Sequence, residues 1–371
     1  MKTDASSVPF DVALEAVNAG STSPKHIRRL LLAAGDELAA LFEVADVKRR
    51  QSVGDAVHLR AIIEFSSHCV RNCSYCGLRV GNKRLARYRL SPEEIVATAQ
   101  EAERLGYRSV VLQSGEDMGF SMETLCDVVR EIRCHTDLAV TVSVGERSYS
   151  EYALLRQAGA HRYLLKHETA DPQLYARLHV GHRLADRIAA LKSLRDLGFQ
   201  IGSGFMVGLP GQSVDVLVAD LRLLHRLDVD MAGIGPFIAH PDTPLGQAAS
   251  GDAQLTLKCV AVARLLLPYA HLPATTALGT VAVDGWAAAL QAGANVIMPN
   301  LTPKAYRSSY AIYPGKGRNL EEPQRQRAQV VRMVTALGRT VAQDPGHSLR
   351  WMEKSKEVFS DAYRSSGMGV S

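Results

Sequence analysis

From residue 57 to residue 300 the sequence alternates short β-branched or apolar runs with amphipathic helical windows, and no other feature narrows the fold as much. The runs are LRAIIEFS, SVVLQS, LAVTVSV, RYLLKHE, QIGSGFMVGL, MAGIGPF, LPATTAL and ANVIMPN, eight in all. Near-continuous apolar strands are buried on both faces, the condition of a parallel sheet covered by helices. Eight strand–helix units predict a full (β/α)8 barrel of the TIM type rather than an open doubly wound sheet. One connecting helix, SPEEIVATAQEAERLG, opens with Ser91 and Glu94 in a capping-box pattern and closes at Gly106.

The flanks read differently. Residues 1–56 predict an N-terminal helical extension: FDVALEAVNAG, then SPKHIRRLLLAAG with Ser23 as cap, then DELAALFEVADVKRRQ with Asp36 as cap. The barrel is expected over 57–318. Residues 319–371 read as a C-terminal helix, NLEEPQRQRAQVVRMVTALG, and a polar tail ending SSGMGVS that is expected to fray.

Composition excludes several classes. With 46% hydrophobic and 22% charged residues, the chain can bury a large core. Asp4, Asp11 and Glu15 interrupt the apolar residues of the N-terminus, so it lacks the apolar centre of a secretory signal. The most apolar stretch, CVAVARLLLPYAHLPA, is broken by Arg264 and Pro268 before it could cross a bilayer. The net charge of +5 and the short basic clusters at 48–50 and 83–89 suit solvated surface, or a rim attracting an anionic small substrate. They lack the long tracts and interleaved aromatics of a nucleic-acid groove. Of the six cysteines, Cys126, Cys134 and Cys259 are scattered, which is no disulfide framework. Eight helical residues put Cys126 and Cys134 about 12 Å apart, too far to bridge. A cytoplasmic protein without membrane or nucleic-acid partners is expected.

A barrel of this type carries its chemistry on the loops after its strands. The remaining cysteines, Cys69, Cys73 and Cys76, lie directly after the first strand in SSHCVRNCSYCGLR, with the spacing C-x3-C-x2-C. A closed zinc site would need a fourth ligand; His68 is at hand but would have to fold back on Cys69, and there is no second C-x2-C. A redox pair of Cys73 and Cys76 would leave Cys69 without a role. A 4Fe–4S cluster held by three thiolates leaves one iron open for another ligand. Other strand ends are polar as well: Gln113, Ser114 and Glu116, Thr141, Ser143 and Glu146, Lys166 and Glu168, Thr275 and Thr276. Their common level around the barrel predicts one shared polar cavity.

C-x3-C-x-aromatic-C after a first barrel strand resembles the signature of the radical S-adenosylmethionine enzymes. The longer strings RAIIEFSSHCVRNCSYCGLR, VVLQSGED, RYLLKHETADP, MVGLPGQ, GIGPFIAHPDTPL, LPATTALGT and ANVIMPNLTPKAYRSSYAIYPGK resemble, in order and spacing over about residues 57–317, the FeFe-hydrogenase maturase family HydE. The resemblance implies a 4Fe–4S cluster on Cys69, Cys73 and Cys76 whose open iron chelates S-adenosylmethionine, with Tyr75 near the adenine. Reductive cleavage of that cofactor would release a 5′-deoxyadenosyl radical. It further implies cofactor contacts from SGED (Ser114, Glu116), Glu168 and Arg187, and cavity positions for Gln113, Thr141, Ser143, Met231, Ile238, Thr275, Thr276, Tyr310 and Tyr313. Lys166 departs from the family's expected arginine, and the two are not equivalent where a bidentate contact is made. No cysteine follows Cys259, so the second cluster of some members has no ligands here.

The implied substrate is a small iron complex carrying carbonyl, cyanide and cysteine ligands, with an electron donor and other hydrogenase maturases as partners. A methylornithine synthase-like enzyme acting on an amino-acid-like substrate is the alternative, and a noncatalytic iron-complex carrier is the alternative of another class. Biotin synthase-like sulfur insertion is set aside, because VVLQS, VTVSV and GSGFMVGL carry no cysteine. The remaining features read as structural. The glycines of GSGFMVGLPGQ lie in a strand and its turn without the acidic ribose contact of a dinucleotide site. His161, His167, His179 and His182 read as independent packing and surface residues, and Tyr306, Tyr310 and Tyr313 as a helical packing face that could also wall the cavity.

Overall fold

The computed structural model describes residues 8–317 and 320–353. Ten strands run β1 (Ala56–Leu59), β2 (Ala61–Ser66), β3 (Ser109–Ser114), β4 (Ala139–Ser143), β5 (Arg162–Leu164), β6 (Gln200–Val207), β7 (Met231–Pro236), β8 (Pro273–Ala274), β9 (Val296–Ile297) and β10 (Thr340–Val341). Six of them, β2 to β7, pair in sequence order, and β10, β1, β9 and β8 form a second set. Every pairing is parallel. Single bridges, Met231 with His271 and Ile62 with Asn300, close the two sets into one ring. The ring is the (β/α)8 barrel expected from the sequence.

The first strand is broken at Arg60 into β1 and β2, and the seventh and eighth keep regular pairing over only two residues each. RYLLKHE is regular only as far as Leu164, because the chain turns out of the extended region at Glu168, where φ is +63°. β2 and β7 are buried along their whole length. Such strands keep their paired backbone groups out of water and stack apolar side chains between barrel and helices.

Helices follow the sequence closely. Ser91 and Glu94 form the reciprocal capping box, and Gly106 takes φ +82° beyond the helix end. The extension folds as helices 10–18, 24–31 and 36–53, with Ser23 at a cap position. The third is capped by Gly35, so Asp36 sits in the first turn, where its charge still favours the helix dipole. Val17, Ile27, Leu30 and Leu41 bury against the barrel core, which is one continuous cluster.

The C-terminal segment does more than the sequence indicates. After helix 323–336, β10 pairs with β1, and residues 345–348 cross the barrel base. The Arg162 guanidinium donates to the Pro345 and Gly346 carbonyls at 2.7 and 2.8 Å, and Arg60 donates to the Gly346 carbonyl at 3.2 Å. Ser348 N donates to Gln200 Oε1 at 2.8 Å. This strap supplies acceptors to the terminal nitrogens of two arginines that are almost fully buried. The SSGMGVS tail lies outside the described residues.

Candidate active site at the cysteine loop

The loop carrying the cysteines, residues 67–90, is tied down at many points. Its ends are joined by Ser67 N to Tyr88 O at 3.1 Å and Leu90 N to Phe65 O at 2.8 Å. The Arg87 guanidinium donates to the carbonyls of Ser67, Leu78, Arg79 and Asn82, gathering the loop around one cation. Gly77 N donates to Ile312 O at 3.0 Å, and a Cβ on Gly77 would lie 2.0 Å from the Ala311 carbonyl, so only glycine admits that crossing strand of chain. Gly115 is equally constrained, with room for a Cβ taken by the His68 carbonyl at 2.2 Å.

Cys69, Cys73 and Cys76 are grouped within electrostatic reach of one another in a half-buried loop. Burial, then the Cys69 charge, pushes the Cys73 thiol up to about 12; burial likewise raises Cys76 and Cys69. Left to the polypeptide, these groups stay protonated, and only metal coordination can supply the charge that stabilises three adjacent thiolates. Among the described residues, no group of three His, Cys, Asp or Glu side chains is arranged around a single metal ion. A cuboidal cluster does not ask for that, since each thiolate ligates a different iron.

Cys69, Tyr75 and Cys76 form one wall of a cavity of about 330 Å³ inside the barrel mouth. Tyr75, Gln113, Ser114, Thr141 and Glu168 line it, as do Lys166, Met231, Ile238, Thr275, Thr276, Tyr310 and Tyr313. Thr141 Oγ1 and Glu168 Oε2 are buried there without a hydrogen-bond partner, although Glu168 Oε2 is in an ion pair with Lys166 Nζ at 3.5 Å. Buried polar atoms of this kind call for a polar ligand. Thiols without compensating charge on one wall and orphaned oxygens on another fit a cluster with a polar organic cofactor beside it.

Three residues read as cofactor contacts do not line the cavity. Glu116 is turned to Arg71, 2.7 Å away, and accepts from Glu146 N at 3.1 Å. Arg187 donates to Glu146 Oε1 and to the Lys166 carbonyl, both at 2.5 Å, so its guanidinium is engaged in a buried Arg71–Glu116–Glu146–Arg187 network. Ser143 ends β4 in register with Gln113 but stays off the cavity wall. Cys73 is also absent from the wall; its Sγ lies 3.4 Å from His179 Nδ1. His179 therefore is not the independent packing residue read from the sequence. The tyrosine series departs too: Tyr306 lies within a short helix, 304–307, and stacks on Tyr88, whereas Tyr310 and Tyr313 belong to the loop that follows.

Other lining residues carried no sequence signal. Arg60 and His271 stand on the base side, and Lys316 reaches in from the loop after β9 to pair with buried Glu64. Asn300 Nδ2 donates to the other Glu64 oxygen at 2.9 Å. Burial lowers Arg60 to about 10 and holds His271 neutral by pushing its pKa well below the usual range. Burial also raises the Tyr310 and Tyr313 phenols, so both remain O–H donors. The cavity thus presents cations from Arg60, Lys166 and Lys316, one ion-paired carboxylate at Glu168, and neutral hydroxyls.

The radical SAM superfamily model matches residues 63–224, the segment that includes the cysteine loop, the later part of β2 and all of β3 to β6. The FeFe hydrogenase maturase subunit HydE of Thermotoga maritima is 50% identical over 314 residues, 85% of this chain and 90% of that protein. 3-Methylornithine synthase of Methanosarcina acetivorans is 29% identical over 319 residues, 85% of this chain and 89% of that protein. The crystal structure of methylornithine synthase (PylB) superposes with a TM-score of 0.77 at 27% identity, covering 89% of this chain and 97% of the other.

Proposed function

The chain belongs to the HydE group of the radical S-adenosylmethionine superfamily, and from that premise we propose that it matures the catalytic site of an FeFe-hydrogenase by acting on a small iron–cysteine complex. It is a radical S-adenosylmethionine enzyme whose cofactors are a 4Fe–4S cluster and S-adenosylmethionine. When bound and reduced, these cofactors supply a 5′-deoxyadenosyl radical.

The polypeptide's part is holding and shielding. Cys69, Cys73 and Cys76 bind the cluster. Tyr75, Gln113, Ser114, Thr141 and Glu168, around the same chamber, hold the cofactor. Glu116 and Arg187 act one step removed: their buried network anchors the Lys166 carbonyl, and with it the turn that carries Glu168. Lys166, Met231, Ile238, Thr275, Thr276, Tyr310 and Tyr313 receive the substrate. Lys166 and Lys316 offer cations to an anionic complex, and the Thr275, Thr276, Tyr310 and Tyr313 hydroxyls offer donors.

The observation that carries this reading is the 50% identity extending over nine-tenths of a hydrogenase maturase. Its test is anaerobic reconstitution with iron and sulfide, then dithionite and S-adenosylmethionine with an iron–cysteine complex bearing carbonyl and cyanide. The expected result is 5′-deoxyadenosine formation stimulated by the complex. A second reading, an amino-acid-acting enzyme, draws on the 29% identity to 3-methylornithine synthase and on the Lys166–Glu168 pair, which could grip an amino acid's two charged ends. Stimulation by a free amino acid instead of the iron complex would favour it.

A further inference from the structure

We propose that His179 is a positioning residue for the cluster's electronics, donating an N–H to the Cys73 sulfur and so raising the cluster's reduction potential; this rests on the radical-enzyme reading above. His179 Nδ1 lies 3.4 Å from Cys73 Sγ, and Nε2 of the same ring lies 3.4 Å from Tyr75 Oη. A thiolate bound to iron carries no proton, so the contact at Sγ requires the proton on Nδ1. In the neutral ring Nε2 is then an acceptor, and Tyr75 O–H donates to it. One tautomer satisfies both contacts, and it links the cluster ligand to the aromatic residue between the last two cysteines.

The ring has little freedom to do anything else. His179 follows the helix 172–178, whose first turn is capped by Asp171 accepting from Leu174 N at 2.7 Å. The far end of that helix is docked onto the cysteine loop by two contacts from Ser74: its N donates to Leu178 O at 2.8 Å and its Oγ to Arg177 O at 3.0 Å. The imidazole stacks on Tyr175 with centroids 4.3 Å apart and meets the Tyr75 ring edge-on at 5.4 Å. It is 4% exposed, so water cannot replace its bond to sulfur.

The other sulfurs receive backbone donors, as Cys69 Sγ does from Glu116 N at 3.4 Å. His179 is a side chain, and its donation can be removed without touching the loop. A hydrogen bond to a ligating sulfur withdraws electron density and favours the reduced cluster, which has taken up one electron from an external low-potential reductant. Losing the bond makes that uptake harder.

The experiment is an anaerobic redox titration of the reconstituted protein, followed by EPR of the reduced cluster, for wild type, His179→Phe and His179→Gln. Phenylalanine keeps the stacked ring but donates nothing; glutamine keeps an N–H. The phenylalanine variant is expected to show at least a tenfold less favourable reduction equilibrium, about 59 mV more negative for one electron. The glutamine variant is expected to stay near wild type. Equal potentials in all three, or equal shifts in both variants, overturn the proposal. Should His179→Phe take up no cluster, pulsed EPR of wild-type protein labelled with 15N-histidine decides: a nitrogen coupling supports the bond, and its absence overturns it. Failure of the wild type itself to hold a cluster sinks the underlying reading instead.

Discussion

Glu168 takes its place in the cavity at a backbone cost. A glutamate at φ +63° pays about 1–3 kcal/mol for a left-handed conformation, and the surrounding chain enforces it. Its N–H donates to Gly204 O at 2.9 Å, and its carbonyl accepts from Met206 N at 3.1 Å. Neighbouring His167 is fully buried, 3.0 Å from Ser203 Oγ and with Nε2 3.5 Å from Asp220 Oδ1. Strain held this firmly beside an orphaned carboxylate oxygen is what a ligand contact at Glu168 would require, and it sets the test. Glu168→Gln should weaken S-adenosylmethionine binding about tenfold, measured by equilibrium dialysis of cluster-loaded protein, with iron content unchanged; equal affinity would remove Glu168 from the contact set. Cys73→Ala should abolish cluster assembly, and a variant keeping full iron and sulfide would contradict the ligand assignment. The sequence singles out both residues, the cysteine through spacing and the glutamate through resemblance. His179 is not singled out as a contact, since it reaches Cys73 across 106 positions from the end of a short helix, where no period or spacing signals contact. Glu116 and Arg187 turn to Arg71 and Glu146 rather than to the cavity wall, a side-chain direction that no motif reveals.

At the scale of elements, the barrel's eight-unit rhythm survived translation into structure because apolar runs bounded by turns have few other destinations. The C-terminal strap did not announce itself. Thr340 and Val341 are too short a run to stand out, and residues 345–348 act through carbonyls, which any sequence provides. Those carbonyls serve Arg60 and Arg162, whose Nε atoms already lack acceptors. A chain ending at Leu337 would strip three hydrogen bonds from buried guanidiniums, a loss of about 3 kcal/mol or more. Its thermal midpoint should fall accordingly, and an unchanged midpoint would deny the strap a structural role. The same region sets a pH response. Burial, then Arg60, lowers His58 to about 4, while burial, then Arg162, lowers His347 to about 4. Their native forms prefer to be neutral, so their contribution is complete above the ordinary histidine value near 6.5 and is lost as pH falls toward 4. Asp230, raised by burial, opposes this. Denaturant midpoints should decline between pH 7 and pH 4.5, and His347→Gln should flatten part of that decline; a rise on acidification would reverse the assignment.

Across the whole molecule, the continuous core takes in the far end of the cysteine loop at Leu90 but not its cysteines. The core runs from the N-terminal helices through the barrel to helix 323–336 and includes none of the three loop cysteines. Unlike a zinc finger, the fold is therefore expected not to depend on metal. Protein stripped by an iron chelator under reducing conditions should keep its far-ultraviolet circular dichroism and a cooperative melt, and collapse of secondary structure would show that the cluster builds the barrel. No helix among the described residues is long and apolar enough to cross a membrane. The strap closes the barrel base, while the loop bearing Tyr310, Tyr313 and Lys316 folds over the mouth and bonds to the cysteine loop at Gly77. A chamber with the strap at its base sets an expected order: a molecule lodged against Arg60 and Met231 should bind before the one beside Cys69 and Tyr75, and adding the two in reverse should slow its entry.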